Sequence, residues 1–230
     1  MRTMVVVPCY NEGKSIFNLV ICIKRYNPDV DIVVVDDGSS DNTIYEARSA
    51  GALVIPLCQN LGIGGAVQTG YIYALNKDYD IVVQIDGDGQ HNPSELEKLI
   101  HLLENKEADM AIGSRFVSDT GYIPSIARKL GIIFFSVIVS SLCNKKFHDT
   151  TSGYRAVSRK GIELFAKYYP RDYPEVETIV YAWKNGLKVE EVSVSMEQRK
   201  YGKSTITPIK SIYYLFKVTF ATFRHGLYRF

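Results

Sequence analysis

The chain has 230 residues, of which 46% are hydrophobic and 23% charged, and its formal net charge is +2. This composition suits one α/β domain with a full apolar core and argues against a disordered chain. Its four cysteines follow neither a zinc-ligand nor a disulfide spacing, so we expect reduced thiols in the cytoplasm. Because Met1 leads directly into a strand-like run, we also expect no signal peptide.

The first half of the chain alternates short β-branched runs with helical patterns. The predicted strands are residues 4–7, 31–35, 53–57, 80–85 and 109–112. The predicted helices are residues 15–26, 41–50, 65–75 and a helix opened by Asn92-Pro93-Ser94-Glu95 that continues to Leu103. This alternation predicts an α/β fold with a mainly parallel sheet covered on both faces. Ligands of such sheets lie beyond the carboxyl ends of the strands.

The second half has a different pattern. We predict helices at residues 126–143, 161–168 and 175–185, a strand within 187–196 and a final amphipathic helix over 206–223. Segments 120–148 and 198–230 carry four and seven Lys or Arg residues and no Asp or Glu. Because both segments are also rich in apolar residues, they favour an anionic membrane surface or a lipid phosphate over nucleic acid. For the final helix, packing on the domain or on another subunit is the alternative.

The stretch Gln84-Ile85-Asp86-Gly87-Asp88-Gly89-Gln90-His91 follows the fourth predicted strand. Its two carboxylates are one residue apart, and its glycines allow a sharp turn close to a ligand. A divalent cation that carries a diphosphate would account for two like charges at this spacing. The alternative is a polar Asp-Gly turn, and His91 beside Pro93 is more often structural.

Asp36 and Asp37 follow the second predicted strand, where carboxylates can accept hydrogen bonds from a nucleotide base or ribose. The alternative role is a helix N-cap, for which Ser39 or Asp41 is better placed. The glycine-rich run 60–66 has the spacing Gly-x-Gly-Gly, which is not the dinucleotide-binding spacing. It predicts either a loop close to the ligand or tight helix packing.

These segments, together with Val7-Pro8-Cys9-Tyr10-Asn11-Glu12, Gly113-Ser114-Arg115, Asp149-Thr150-Thr151-Ser152-Gly153-Tyr154-Arg155 and Arg199-x-x-Gly202-Lys203-Ser204, occur in an order that resembles glycosyltransferase family 2. The nearest branch resembles the polyprenyl-phosphate sugar transferases, such as dolichol-phosphate mannose synthases. The resemblance extends from about residue 4 to residue 204. It implies a GT-A catalytic domain over 1–204, followed by an amphipathic, membrane-interfacial helix over 205–230.

The resemblance also implies roles for individual residues. Mg²⁺ or Mn²⁺ is expected at Asp86, Asp88 and Gln90. The donor is expected at Pro8, Tyr10, Glu12, Asp36, Asp37, Gly65, Asp86, Gly87, Arg199 and Lys203. The acceptor phosphate is expected at Arg115, Arg128, Ser152 and Arg155, and the catalytic group consists of Asp88, Asp149 and Arg115. Asp149 is expected to orient the reacting groups.

The implied reaction is an inverting transfer from a nucleotide sugar to a polyprenyl phosphate such as undecaprenyl phosphate. UDP-sugars are the favoured donors and GDP-mannose is the alternative. A hydroxyl acceptor is the competing hypothesis, with Asp149 or Glu177 as general base. A non-catalytic nucleotide-sugar-binding protein is the alternative from another class. We expect a peripheral protein at the inner face of the cell membrane, with a small membrane protein or a second copy as further partners and no nucleic acid.

Overall fold

The computed structural model describes residues 1–118, 124, 126–171, 174–196 and 219. A sheet of seven strands lies at its centre, in the order β3-β2-β1-β4-β6-β5-β7. The strands are β1 (Thr3–Cys9), β2 (Asp31–Asp36), β3 (Leu53–Pro56), β4 (Ile81–Gln84), β5 (Met110–Ser114), β6 (Arg155–Ser158) and β7 (Val189–Ser193). In this sheet β6 alone runs antiparallel to its neighbours. The α/β fold with a mainly parallel sheet is therefore confirmed.

Helices cover both faces of the sheet. They are α1 (Ile16–Tyr26), α2 (Thr43–Ser49), α3 (Ile63–Asn76), α4 (Leu96–Glu104), α5 (Ile126–Cys143), α6 (Arg159–Lys167) and α7 (Pro174–Lys184). A single 3₁₀ turn, Pro93–Glu95, precedes α4, and the Asn92 side chain caps it by accepting a hydrogen bond from the Ser94 amide. The predicted start signal before α4 is thus confirmed.

The alternation of side chains along each central strand divides the apolar core into two layers. On one face, Val6 and Val33 share a cluster with Tyr71 of α3 and Phe165 of α6. On the other face, Val5 and Val34 pack with Ile16 of α1 and Leu99 of α4. Because central strands are buried on both faces, their sequences are continuous β-branched runs.

The order of the strands determines where ligands can bind. The chain proceeds from β1 outward through β2 to β3 and then returns to the other side of β1 with β4. The carboxyl ends of β1 and β4 therefore flank a point where the winding direction reverses, which is the usual ligand crevice of such sheets. Asp36 ends β2, and Asp37, Asp86 and Asp88 follow strands that end at this edge.

Helix α5 buries one face and exposes another. Phe135 and Val139 are 1% and 0% exposed, whereas Leu130 and Val137 are 63% and 64% exposed. Within the described residues, no helix is both long and apolar enough to cross a bilayer. The predicted helix over 206–223 and the boundary at residue 204 lie outside the described residues.

Candidate active site

Hydrogen bonds with the neighbouring residues Gln84, Gln90 and His91 hold the Asp86–Asp88 turn. Asp86 Oδ1 accepts a hydrogen bond from Gln84 Nε2 at 3.1 Å, and the Asp86 amide donates to His91 Nδ1 at 3.1 Å. Asp88 Oδ1 accepts from the Gln90 amide at 3.0 Å. The His91 ring stacks on Tyr154, with 4.8 Å between the ring centroids. His91 therefore supports the turn from below, in agreement with a structural role.

Two glycines allow close packing around the Asp86–Asp88 turn. A Cβ at Gly153 would lie 2.8 Å from Asp86 Oδ2, and a Cβ at Gly87 would lie 2.6 Å from Cys9 Sγ. Neither position has room for a side chain. Burial raises the pKa of the Cys9 thiol well above its usual value, and the carboxylates of Glu12 and other nearby acids raise it further. Cys9 thus stays protonated and fills space under the turn.

The donor atoms of this turn fit a hard divalent cation. Asp86 has a side chain that is 35% exposed, and Asp88 is 8% exposed. Together with the Gln90 side chain they offer oxygen ligands, which Mg²⁺ and Mn²⁺ prefer. The described residues contain no ready cluster of three His, Cys, Asp or Glu ligands. Such a site fits a cation that takes its other ligands from phosphate and water.

Asp36 and Asp37 contact different groups. Asp36 is 1% exposed, and its Oδ2 accepts a hydrogen bond from the Ser39 amide at 3.1 Å. Its Oδ1 is buried without a hydrogen-bond partner among the described residues. Since a buried carboxylate oxygen without a partner is costly, this atom is suited to accept a hydrogen bond from a ligand.

Asp37 holds the glycine-rich loop. Its Oδ1 and Oδ2 accept hydrogen bonds from the amides of Leu61 and Gly62 at 2.7 and 2.9 Å. Burial raises the pKa of Asp37, while the two amides oppose the rise. The loop leads into α3, where the Gly64 amide donates to the carbonyl of Arg171. A Cβ at Gly65 would lie 2.6 Å from Leu61 Cβ, so tight local packing explains this glycine.

The segment after β1 forms the rim of the same crevice. The Ser15 hydroxyl lies 3.0 Å from Glu12 Oε2 and 2.8 Å from the Gly87 carbonyl, which connects this segment to the Asp86–Asp88 turn. Pro8 is buried, whereas Tyr10 is 51% exposed. Asp41 is not the N-cap of α2, which is Asn42, but its Oδ1 accepts a hydrogen bond from the Thr43 amide at 3.0 Å.

Arg115 and Asp149 form a buried ion pair beside the crevice. Arg115 Nε lies 2.6 Å from Asp149 Oδ2, and Arg115 Nη2 lies 2.7 Å from Asp149 Oδ1. The two side chains are 6% and 0% exposed. The Arg115 amide also donates to Asp149 Oδ2, and Nη2 donates to Thr151 Oγ1 at 3.0 Å. Asp149 therefore orients Arg115. Because both of its carboxylate oxygens accept hydrogen bonds from Arg115, Asp149 is a poor candidate for a general base.

Arg155 lies beneath the site, 1% exposed. Its Nε donates to the Ser152 carbonyl at 2.8 Å, Nη1 donates to Thr178 Oγ1, and Nη2 donates to the carbonyls of Thr150 and Glu175. Ser152 is 2% exposed, and its Oγ accepts from the Tyr154 amide at 3.3 Å. Contact of Arg155 or Ser152 with an acceptor phosphate stays a prediction, since their hydrogen bonds here are to protein groups.

Two carboxylates near the site were not singled out from the sequence. Glu175 is the second residue of α7. Burial raises its pKa, while the Arg155 guanidinium lowers it and the Asp86 carboxylate raises it. Glu191 lies in β7 behind Asp149. Both belong to elements distant in the chain from the motifs, so no local pattern indicates them. Glu177, the other candidate base, is 6% exposed and accepts a hydrogen bond from Tyr168 Oη at 3.2 Å.

An apolar groove of about 500 Å³ runs along α5. Its lining combines apolar side chains with two lysines, two serines and a histidine, and consists of Phe116, Lys129, Ile132, Ile133, Ser136, Val137, Ser140, Lys146, Phe147 and His148. Phe116 follows Arg115 and His148 precedes Asp149, so one end of the groove adjoins the buried ion pair. The Arg128 side chain, Arg199 and Lys203 lie outside what the structure describes.

Comparison with known proteins shows which family the chain belongs to. The sequence model of Glycosyl transferase family 2 matches residues 4–165. The chain is 31% identical over 233 residues to polyprenol monophosphomannose synthase of Mycolicibacterium smegmatis, covering 94% of this chain and 85% of the relative. It is 29% identical over 225 residues to UDP-N-acetylglucosamine–dolichyl-phosphate N-acetylglucosaminyltransferase of Methanococcus voltae, covering 89% of each.

The fold is also found among solved structures. It resembles glucosyl-3-phosphoglycerate synthase from Mycobacterium tuberculosis in complex with Mn²⁺, UDP-glucose and phosphoglyceric acid, with a TM-score of 0.75 and 18% identity. The match covers 98% of this chain and 79% of that one. The mainly parallel sheet with its flanking helices is thus the GT-A fold. The chain belongs to glycosyl transferase family 2 and is a glycosyltransferase.

Proposed function

We propose that this glycosyltransferase moves a sugar from a nucleotide diphosphate sugar to a polyprenyl phosphate, with inversion at the anomeric carbon. The observation that carries the acceptor class is the α5 groove. It joins an apolar wall to Lys129 and Lys146 and ends beside the Arg115–Asp149 ion pair. An isoprenoid chain with a terminal phosphate has the matching chemistry. The named relatives that act on polyprenyl or dolichyl phosphates support the same proposal.

The donor occupies the crevice at the carboxyl ends of β1, β2 and β4. Asp36 Oδ1 accepts a hydrogen bond from the base or ribose, and Asp37 holds the loop at the start of α3. Asp86, Asp88 and Gln90 would hold Mg²⁺ or Mn²⁺, which when bound would neutralise the diphosphate leaving group. UDP-sugars are the favoured donors.

The reaction is a direct displacement. A phosphate oxygen of the acceptor attacks the anomeric carbon, the bond from that carbon to the diphosphate oxygen breaks, and the nucleotide diphosphate leaves with the electron pair. An acceptor phosphate is already anionic near neutral pH, because its second pKa is about 6. It needs positioning more than deprotonation. This agrees with the commitment of Asp149 to Arg115 rather than to a proton transfer.

Transfer of label to a lipid tests the proposal. The protein is incubated with undecaprenyl phosphate, Mn²⁺ and a panel of radiolabelled nucleotide sugars, and the mixture is extracted into organic solvent. We expect acid-labile label in the organic phase with one donor and none with the Asp88→Asn variant. Label found only on a water-soluble glycan would overturn the acceptor assignment and favour the hydroxyl alternative. Donor binding without turnover on any acceptor would indicate a binding protein.

The peripheral membrane location is part of the proposal. Helix α5 exposes Leu130, and it exposes Ile133 and Val137 in the lining of the groove that also contains Lys129. Apolar side chains flanked by lysines are typical of a helix that lies in the headgroup region of an anionic membrane. A lipid acceptor would then reach the groove without leaving the membrane surface.

A further inference from the structure

A carboxylate on strand β7 lies directly behind the Arg115–Asp149 ion pair. Glu191 has a side chain that is 6% exposed. Its Oε1 accepts a hydrogen bond from the Asp149 amide at 2.7 Å, and its Oε2 accepts one from the His148 amide at 2.8 Å. The same Oε2 lies 3.0 Å from His148 Nδ1. One side chain thus holds two consecutive amides of the segment that carries Asp149.

The opposite side of this segment is held by α5. The Ser136 hydroxyl donates to the His148 carbonyl at 3.2 Å, and Ser140 Oγ accepts from the Phe147 amide at 2.9 Å. Residues 147–149 are therefore fixed between α5, which forms the groove, and β7, which carries Glu191. The position of this segment determines where the Asp149 carboxylate points.

Burying the charges of this cluster costs free energy. The side chains of Arg115, Asp149 and Glu191 are 6%, 0% and 6% exposed, so two carboxylates and one guanidinium are buried in this cluster, with the His148 ring beside Glu191. Burying ionised groups is unfavourable unless each is well hydrogen bonded, and even then it is weak evidence for stability. The alternative explanation for such a cluster is that it fixes the geometry of a functional group.

We infer that Glu191 is a positioning residue of the transfer reaction. By holding the amides of His148 and Asp149, it sets the direction of the Asp149 carboxylate and, through it, of the Arg115 guanidinium at the end of the α5 groove. The inference rests on the proposed function, in which that end of the groove receives the acceptor phosphate. Glu191 acts through the His148–Asp149 segment and touches neither substrate.

The first test uses Glu191→Gln, with Glu190→Gln as the matched control. A carboxamide keeps the size of the side chain but presents an amino group to one of the two amides. Glu190 is the next residue in β7, has a side chain 33% exposed, and pairs with Lys145 at 2.6 Å. We expect the KM for polyprenyl phosphate to rise about 10-fold in Glu191→Gln, with the donor KM within about twofold. Glu190→Gln should leave both constants within about twofold of the unmodified protein.

The second test does not depend on the acceptor. The Arg115 amide donates to Asp149 Oδ2, so its hydrogen exchange reports whether Asp149 is held in place. We expect exchange at Arg115 to be about 10-fold faster in Glu191→Gln, with the amides of β1 and β4 unchanged. Should that variant fail to fold, Glu191→Asp keeps one carboxylate but is too short for both amides, and the same local change is expected.

The outcomes separate the two proposals. If the unmodified protein transfers no sugar to a lipid, the proposed function fails, and the positioning role for that reaction fails with it, whatever the exchange data show. If transfer occurs and Arg115 exchange is unchanged in a folded Glu191 variant, the positioning role is overturned while the function stands. Faster exchange with an unchanged acceptor KM, or an equal rise in both KM values, would also overturn it, since Glu191 would then be purely structural.

Discussion

Asp36 and Asp37 are neighbours in the chain, but their carboxylates contact different groups. Asp37 accepts two backbone amides of the glycine-rich loop, whereas Asp36 keeps one buried oxygen without a partner among the described residues. The first arrangement stabilises the protein, and the second underlies the proposed role of Asp36 in donor binding. Substitution of each residue should therefore separate stability from donor binding.

We expect Asp37→Asn to lower the free energy of unfolding by about 1–3 kcal/mol, because the amino group of Asn cannot accept the second amide. Asp36→Asn should weaken donor binding about 10-fold or more and change stability by less than about 1 kcal/mol. Urea unfolding and calorimetric titration with the nucleotide diphosphate measure the two effects. Equal losses of stability in both variants would contradict the division of roles.

A substitution at Glu175 tests whether the acceptor is a phosphate or a hydroxyl. It lies at the start of α7, and burial together with the Asp86 carboxylate raises its pKa. A carboxylate with a raised pKa close to the site is the kind of group that could deprotonate a hydroxyl. A phosphate acceptor needs no such base.

We therefore expect Glu175→Gln to retain transfer to polyprenyl phosphate within about threefold, whereas loss of a general base typically slows a reaction by about 10²-fold or more. The measurement is the initial rate at saturating donor and acceptor. Glu163→Gln on α6, whose carboxylate pairs with Arg159 at 3.3 Å at the surface, is the control. A selective loss of rate in Glu175→Gln would revive the hydroxyl-type mechanism.

At the scale of elements, helix α5 has a buried face and an exposed apolar face. Phe135 and Val139 attach it to the core, whereas Leu130, Ile133 and Val137 are exposed, the last two of them in the lining of the groove. The exposed face is the part of the proposal that concerns the membrane.

Ile133→Glu should reduce binding to vesicles of phosphatidylglycerol and phosphatidylcholine about 10-fold, because burying an Ile side chain contributes about 1.5–3 kcal/mol. Ile72→Glu on α3 is the matched control, since Ile72 is 44% exposed and Ile133 is 50% exposed. Co-sedimentation measures the binding. If both variants bind like the unmodified protein, α5 does not contact the membrane.

The predicted elements also show where sequence patterns suffice. Strands β1, β2 and β4 consist largely of buried β-branched residues, and these strands and β3, β5 and β7 lie within a few residues of their predicted ranges. Strand β6, Arg155–Ser158, was not predicted, because it begins with a charged residue and contains a single β-branched residue, Val157. Its antiparallel pairing with β4 and β5 depends on the whole sheet.

In the candidate site, too, local features could be predicted from the sequence, whereas contacts between distant residues could not. The Asp86–Asp88 turn is local, and its position at the end of β4 could be predicted from the strand before it. The ion pair between Arg115 and Asp149 joins residues 34 positions apart, and the contact of Glu191 with Asp149 spans 42. No periodicity reports such contacts, so a residue expected to meet a phosphate proved to have a protein partner as well.

At the scale of the whole molecule, Arg155 connects three parts of the chain. From β6 it reaches the carbonyls of Thr150 and Ser152 in the preceding turn, and the Glu175 carbonyl and Thr178 hydroxyl of α7. The planar guanidinium offers donors in several directions at once, which a lysine ammonium on a flexible stem does not. The Arg155 guanidinium therefore connects the turn that contains Thr150 and Ser152 to helix α7.

We expect Arg155→Lys to lower the free energy of unfolding by about 3 kcal/mol, because it leaves several buried carbonyls without a donor. Arg159→Lys is the control, since that side chain pairs with Asp78 and Glu163 at the surface and should change stability by less than about 0.5 kcal/mol. Urea unfolding compares the two. If Arg155→Lys unfolded at the same urea concentration as the control, the buried guanidinium would contribute nothing to stability, and its position beneath the site would have to be explained by a direct role in binding.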